Sequence, residues 1–185
     1  MIADILDQTR DKMEKMVHAL QQDLSGVRAG RASAALLERI RVDYYGTPTP
    51  VQQVATINTP DPRTLVIQAW DKNAVAAIEK AIQKSDLGLS PQTEGNIIRL
   101  NLPQLTAERR GELTKHVRKL AEERRVAVRN LRREAREQIE RAEKSGHAGG
   151  DEARRALDDL QKHTDKATEQ IGRLLEAKEQ DILAV

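Results

Sequence analysis

Four arginines, Arg125, Arg129, Arg132 and Arg136, follow one another at intervals of four, three and four residues, and Arg118 falls one heptad before the first. On a helix turning about 100° per residue, all five project within an arc of about 60°. The stripe from Arg118 to Arg136 is about 27 Å long at 1.5 Å per residue. Positive charge confined to one stripe suits a polyanion, because each neutralised phosphate releases condensed counterions. A charge run is ordinarily a solvated helix face, but here charge is segregated along the chain. Residues 109–136 hold eleven Lys or Arg against four Asp or Glu, a net of +7. Residues 137–185 hold eight against twelve, a net of −4. The formal charge of +2 for the whole chain conceals this separation, and the distribution is the informative quantity.

Other chemistry is poorly represented. His18, His116, His147 and His163 do not pair at metal-ligand spacing, so no metal or other cofactor is expected. The many carboxylates of the C-terminal half serve helix surfaces, as Glu140 and Lys144 do at a spacing of four. GVRAGRA contains two glycines but lacks the preceding strand and the spacing of a phosphate-binding loop, and reads as a helix end and hinge. The absence of cysteine excludes disulfides, thiol catalysis and thiolate metal sites. With no Phe, and with Tyr44, Tyr45 and Trp70 as the only aromatics, a row of stacking rings for single-stranded nucleic acid is not expected. Recognition should then fall to arginine and to shape. A non-enzymatic role follows as the expectation. No apolar run approaches the roughly 20 residues of a membrane span, and no secretory signal opens the chain, so a cytoplasmic protein without a membrane partner is expected.

Three segments could carry such a stripe and pack behind it. Ile2, Ile5, Leu6, Met13, Met16, Val17, Leu20, Leu24 and Val27 repeat at helical spacing, giving a first amphipathic helix expected to end near Gly30. The period returns from about Leu105 through Leu113, Val117, Leu120, Val128, Leu131 and Ile139, with Leu131 expected between helices. Thr106 can cap this second helix. After a turn at Ser145 to Gly150, with Asp151 as N-cap, a third helix carries Ala156, Leu157, Leu160, Ile171, Leu174 and Ile182. Three helices apolar on one side each call for a bundle. Arg124 projects near the middle of the apolar face and is expected to snorkel at a bundle end.

Residues 31–104 differ in composition: all six prolines and all three aromatics lie there, which marks a domain boundary. Ile40, Val42 and Tyr44 alternate as a strand, YYGTPTP supplies turn chemistry, and TLVIQAW and NIIRLNL read as further strands. Asp71 or Asn73 can cap a helix through AVAAIEKAIQK. The expected fold class is therefore α+β with two domains. A long three-helix bundle comprises 1–30 and 105–185, and a small mixed α/β domain, 31–104, is inserted between its first and second helices. The two crossings, at Gly30 and Arg31 and at Pro103 and Gln104, are candidate hinges.

The strings VRAGRASAALLERIRVDYYGTPTPVQQVA, SDLGLSPQTEGNIIRLNLPQLTAERRGELTK and RVAVRNLRREA closely resemble the ribosome recycling factors of bacteria, and the likeness covers the whole chain. The resemblance implies an L-shaped, transfer-RNA-like molecule, the bundle being one arm and the insert the other. It also implies a monomeric factor that binds the post-termination 70S ribosome and, with elongation factor G and GTP, splits it into subunits. The GTPase activity would be the partner's. The bundle in such factors contacts large-subunit rRNA near the peptidyl-transferase region. Carried over by position, the main RNA-contacting arginines fall on Arg110, Arg129 and Arg132, with Arg133 beside them. Arg110 flanks the arc of Arg118, Arg125, Arg129, Arg132 and Arg136. Ala29 departs from the pattern, since relatives often have Thr there. From the residues alone, a general RNA-binding coiled-coil module or an enzyme within the α/β insert are the rival readings; dependence of splitting on the partner GTPase, or turnover without ribosomes, would discriminate them.

Overall fold

A computed structural model describes residues 1–183. The chain divides into two compact units, one formed by Met1–Ala29 with Glu108–Ile182, the other built on Gly30–Ala107. Together they give an α+β architecture, with long helices at both ends of the chain and a β-sheet unit between them.

The helical unit contains α1 (Ile2–Ser25), the C-terminal helices being α3 (Ala107–Lys144) and α4 (Gly150–Leu183). Each buries one stripe. Met13, Leu20 and Leu24 of α1, Val117, Val128 and Ile139 of α3, and Leu160, Ile171 and Ile182 of α4 are all buried. Much of the seam is alanine: Ala121, Ala135 and Ala142 on α3, and Ala153, Ala156 and Ala167 on α4, are all buried. Small side chains reduce the spacing between helices, so a core without aromatics can still close. The one hydroxyl buried on α4, Thr164, donates to the Leu160 carbonyl at 2.8 Å and is thereby satisfied.

Several helix ends differ from the sequence expectations. α1 stops at Ser25, not near Gly30. Ser25 Oγ turns back onto the Gln22 carbonyl at 2.7 Å, and Gly26, a poor helix former, follows as the C-cap. At the end of α3, Gly146 adopts φ +78°; its N–H donates to the Glu143 carbonyl, and the His147 N–H to that of Ala142. These are the paired bonds of a Schellman motif, which a glycine permits without steric cost. Asp151 is not the N-cap of α4, which begins one residue earlier; it lies in the first turn, favourable to the helix dipole, and pairs with Arg154 at 2.9 Å. Leu131 is half-buried rather than enclosed, whereas Ile139 is fully buried. Ile139→Ala is therefore expected to destabilise the bundle by about 2–5 kcal/mol, and Leu131→Ala by less. Denaturant unfolding of the two variants checks the order; equal losses would place Leu131 in the core.

The second unit holds two ladders. β1 (Arg41–Tyr44) pairs antiparallel with β2 (Thr47–Pro50), and a four-stranded antiparallel sheet has the order β3 (Ala55–Asp61), β4 (Thr64–Ala69), β6 (Ile97–Asn101), β5 (Gln92–Glu94). Leu65, Ile67 and Ala69 of β4 alternate inward beside Ile98 and Leu100 of β6. α2 (Val75–Lys84) covers them with Ile78 and Ile82, one helical turn apart. TPTP, which reads as a turn, is strand β2, and β3 carries Pro60. Both departures are tolerated because β3 is an edge strand and β2 belongs to a two-stranded ladder, where a missing N–H need break no central bond.

Two of the three aromatics meet at one carboxylate. Tyr44 and Tyr45 both donate to Asp71 Oδ2, at 3.1 and 3.0 Å, while Asp71 Oδ1 accepts the Asn73 N–H at 2.9 Å and so caps the short 3-10 turn before α2. The Asn73 N–H and the two phenols hold the Asp71 carboxyl below its ordinary range, and that carboxylate raises the Tyr44 phenol.

Candidate nucleic-acid interface

The arginine stripe lies wholly on α3, a helix of 38 residues with few breakers, so its spacing is carried rigidly. The structure sorts its members by what each guanidinium touches. Arg118 pairs with Glu179 of α4. Arg125 and Arg129 share Glu122, at 3.7 and 2.9 Å. Arg136 pairs with Glu140 at 2.9 Å. Glu140 thus supports Arg136 in the structure, instead of the Lys144 partner that spacing suggests. Arg132 has a neutral partner, Gln161 of α4, whose Oε1 accepts from Nη1 at 3.0 Å. Arg133 is exposed, Arg110 is half-buried, and neither makes an ion pair among the described residues. The backbone carbonyl of Arg110 accepts the Thr114 hydroxyl at 2.9 Å.

The pairs on this face are shallow. Arg118, Arg129 and Arg136 are well exposed, and only Arg125, with 28% of its side chain accessible, is partly covered. Exposed pairs contribute little to stability, so phosphate oxygens can replace these carboxylates without unfolding the helix. The hydrogen bond from Arg129, helped by the charge of Arg125, holds the Glu122 carboxyl below its ordinary range. It therefore stays ionised and competes with any incoming phosphate for both arginines. Replacing it releases them. If this face binds RNA, Glu122→Gln is expected to tighten that binding about two- to fivefold while leaving the thermal midpoint unchanged. Binding weaker than that of the parent would show that Glu122 orders the stripe rather than competing with the ligand.

Arg124 does not snorkel at a bundle end. It is half-buried in the middle of α3, with Nη2 on Asp23 of α1 at 2.9 Å and Nη1 at 3.8 Å from Met16 Sδ. An interhelical ion pair keeps it on the packed side, away from the stripe. Among the described residues no group of three His, Asp or Glu side chains is arranged to hold a metal ion, and no helix is long and apolar enough to cross a membrane.

The crossings are held within the second unit. Gly30 takes φ +70°, and a Cβ there would fall 2.8 Å from Leu105 Cγ, so glycine is required on two counts. Just beyond it, the Ala32 N–H donates to the Pro62 carbonyl at 2.6 Å, and on the returning strand the Leu102 N–H donates to the Arg63 carbonyl at 2.7 Å. Arg63 Nη1 also reaches Gln104 Oε1 at 3.4 Å. One hairpin turn, at Pro62 and Arg63, thus ties both crossings. Arg31 and Pro103 are exposed next to these anchored residues, and Ala29 is buried.

A family model of the ribosome recycling factor matches residues 20–183, nearly the whole chain. The chain belongs to the ribosome recycling factor family. Ribosome-recycling factors of Syntrophomonas wolfei and Carboxydothermus hydrogenoformans are each 52% identical to it over 185 residues, covering 100% of both chains. Among solved structures, the solution structure of a ribosome recycling factor is similar with a TM-score of 0.75 at 47% identity, over 100% of this chain and 98% of that one. A T. thermophilus ribosome recycling factor, described with E. coli elongation factor G bound to the E. coli post-termination complex, is similar with a TM-score of 0.66 at 47% identity, each chain being covered fully.

Glu122, Glu179 and Gln161 on this face, and Asp23 on the packed side behind it, are residues that sequence reasoning missed. Glu122 with Arg125 is a spacing of three and could have been found on α3 alone. The other three lie on different helices from their arginines, and no one-dimensional signal reports them.

Proposed function

We propose that this chain recycles ribosomes: it binds the post-termination ribosome through large-subunit rRNA and, with elongation factor G and GTP, separates the subunits. The observation that carries the reading is the basic face of α3, where Arg132 and Arg133 keep uncompensated charge and Arg118, Arg125, Arg129 and Arg136 hold only exchangeable surface pairs. Arg110 flanks this face toward the N-terminus of α3. Family membership and the complex described for the T. thermophilus relative support the choice of the ribosome and elongation factor G as partners. The chain acts as a monomer in the cytoplasm, uses no cofactor and catalyses no covalent step; the hydrolysed nucleotide is the partner's.

Binding energy at the stripe anchors the bundle, the domain of residues 1–30 and 105–185. The insert, residues 31–104, receives the push from the translocase, and flexure on the bundle side of the tied crossings at Gly30, Arg31, Pro103 and Gln104 lets it move against the anchored bundle. A ligand shifts an equilibrium only by its differential affinity for the two states. The factor must therefore bind more tightly to a ribosome whose intersubunit contacts are strained or broken. Sedimentation of post-termination ribosomes with the protein, elongation factor G and GTP, omitting each in turn, tests this. Subunits should appear only with all three, and splitting without elongation factor G would overturn the division of roles.

A further inference from the structure

We infer that Gln161, oriented by Asp165, is a positioning residue for RNA binding: it fixes the Arg132 guanidinium in place while leaving its charge available. The inference rests on the stripe being the RNA-binding face. Along that face Arg118, Arg125, Arg129 and Arg136 are each held by a carboxylate. Arg132 alone is held by an amide, with Nη1 donating to Gln161 Oε1 at 3.0 Å. An amide oxygen orders a guanidinium without cancelling its charge, and it occupies one of five N–H donors in a planar fork. The remaining donors stay free for phosphate.

The orientation of the amide is itself determined. Gln161 Nε2 donates to Asp165 Oδ1 at 2.8 Å. An ionised carboxylate only accepts, so the NH2 end must face Asp165 and the carbonyl oxygen must face Arg132. Asp165 lies four residues on from Gln161 along α4, the spacing at which side chains on one helix face meet. The chain Asp165, Gln161, Arg132 thus joins α4 to α3, and it puts a carboxylate one side chain further from the arginine than in the neighbouring pairs. A long side chain held beforehand loses less freedom when it binds.

The test uses the full-length protein and purified large ribosomal subunits, with affinity measured over a series of salt concentrations. Gln161→Leu should weaken binding about three- to tenfold with the salt slope unchanged, because the charge remains but its orientation is lost. Gln161→Glu should lower the magnitude of the logarithmic slope by about one, as Arg132→Ala does, because the arginine becomes paired. Asp165→Ala is the decisive variant. It removes a negative charge beside a basic stripe, so general electrostatics predicts tighter binding, whereas loss of orientation predicts binding about two- to fivefold weaker. In an Arg132→Ala background Gln161→Leu and Asp165→Ala should both be silent, since the group they act through is gone. Losses that persist in that background would reflect folding or diffuse charge and overturn the inference. So would parental affinity of Gln161→Leu and Asp165→Ala where Arg132→Ala is impaired. Parental affinity of Arg132→Ala itself would instead remove the reading of the stripe on which the inference stands.

Discussion

Joining residues 1 to 29 to residues 105 to 185 through a short flexible linker is expected to leave large-subunit binding intact and to abolish recycling. The helices that remain retain their own seam, with Leu20, Val117, Val128, Ile139, Leu160 and Ile171 all buried among themselves, and every arginine of the stripe is on α3. Removing the insert takes away a unit with a separate core of Leu37, Val42, Leu65, Ile67, Ile78 and Ile98, so the loss should not propagate into the bundle. Circular dichroism and a cooperative thermal transition would verify that the shortened chain folds. On the proposed mechanism it lacks the surface through which elongation factor G would pass on its motion. Sedimentation with elongation factor G and GTP should then show ribosomes that are bound but unsplit. Recycling at the full rate would show that the insert is dispensable and the lever account wrong.

Binding of the intact protein to large subunits should weaken steeply with salt. About five phosphate contacts correspond to a logarithmic slope of roughly −3 to −5. Arg132→Ala should reduce that magnitude by about one and weaken binding at every salt concentration tested, and Arg129→Ala should behave similarly. Arg173 provides the control. It belongs to α4 and pairs with Glu169 at 2.7 Å, so Arg173→Ala should change little. Equal losses at all three positions would mean that diffuse charge matters rather than the stripe, and affinity indifferent to salt would exclude phosphate contacts as the anchor.

Much of this molecule is determined locally and is therefore legible from one dimension. The spacing of Met13, Leu20 and Leu24, and of Val117, Val128 and Ile139, reflects the helical repeat alone, and those side chains are buried as the periodicity requires. The alternation at Leu65, Ile67 and Ala69 likewise reports a strand with one covered face. Charge segregation also depends only on order along the chain, which is why the stripe on α3 can be read before any packing is known. Where local signals compete, the reading fails. Prolines in TPTP and at Pro60 speak against strands, yet both segments pair, because only their place at an edge decides whether a missing N–H matters. The end of α1 comes earlier than the period suggests for a related reason: apolar Val27 extends the period, but the Ser25 side chain and Gly26 end the helix first.

The tertiary structure decided what each charge does. Helical spacing puts Arg118, Arg125, Arg129, Arg132 and Arg136 on one side and treats them alike. Packing of α4 against α3 brings Glu179 to Arg118 and Gln161 to Arg132, while α1 supplies Asp23 to Arg124. These partners are separated in sequence by 61, 29 and 101 residues. A Coulomb interaction or a hydrogen bond depends on distances of a few ångströms in space, whatever the separation along the chain. The sequence by itself therefore established that a basic helix exists and which residues form its stripe, and only the assembled bundle determined which of those arginines are already paired and which are held ready with their charge uncompensated.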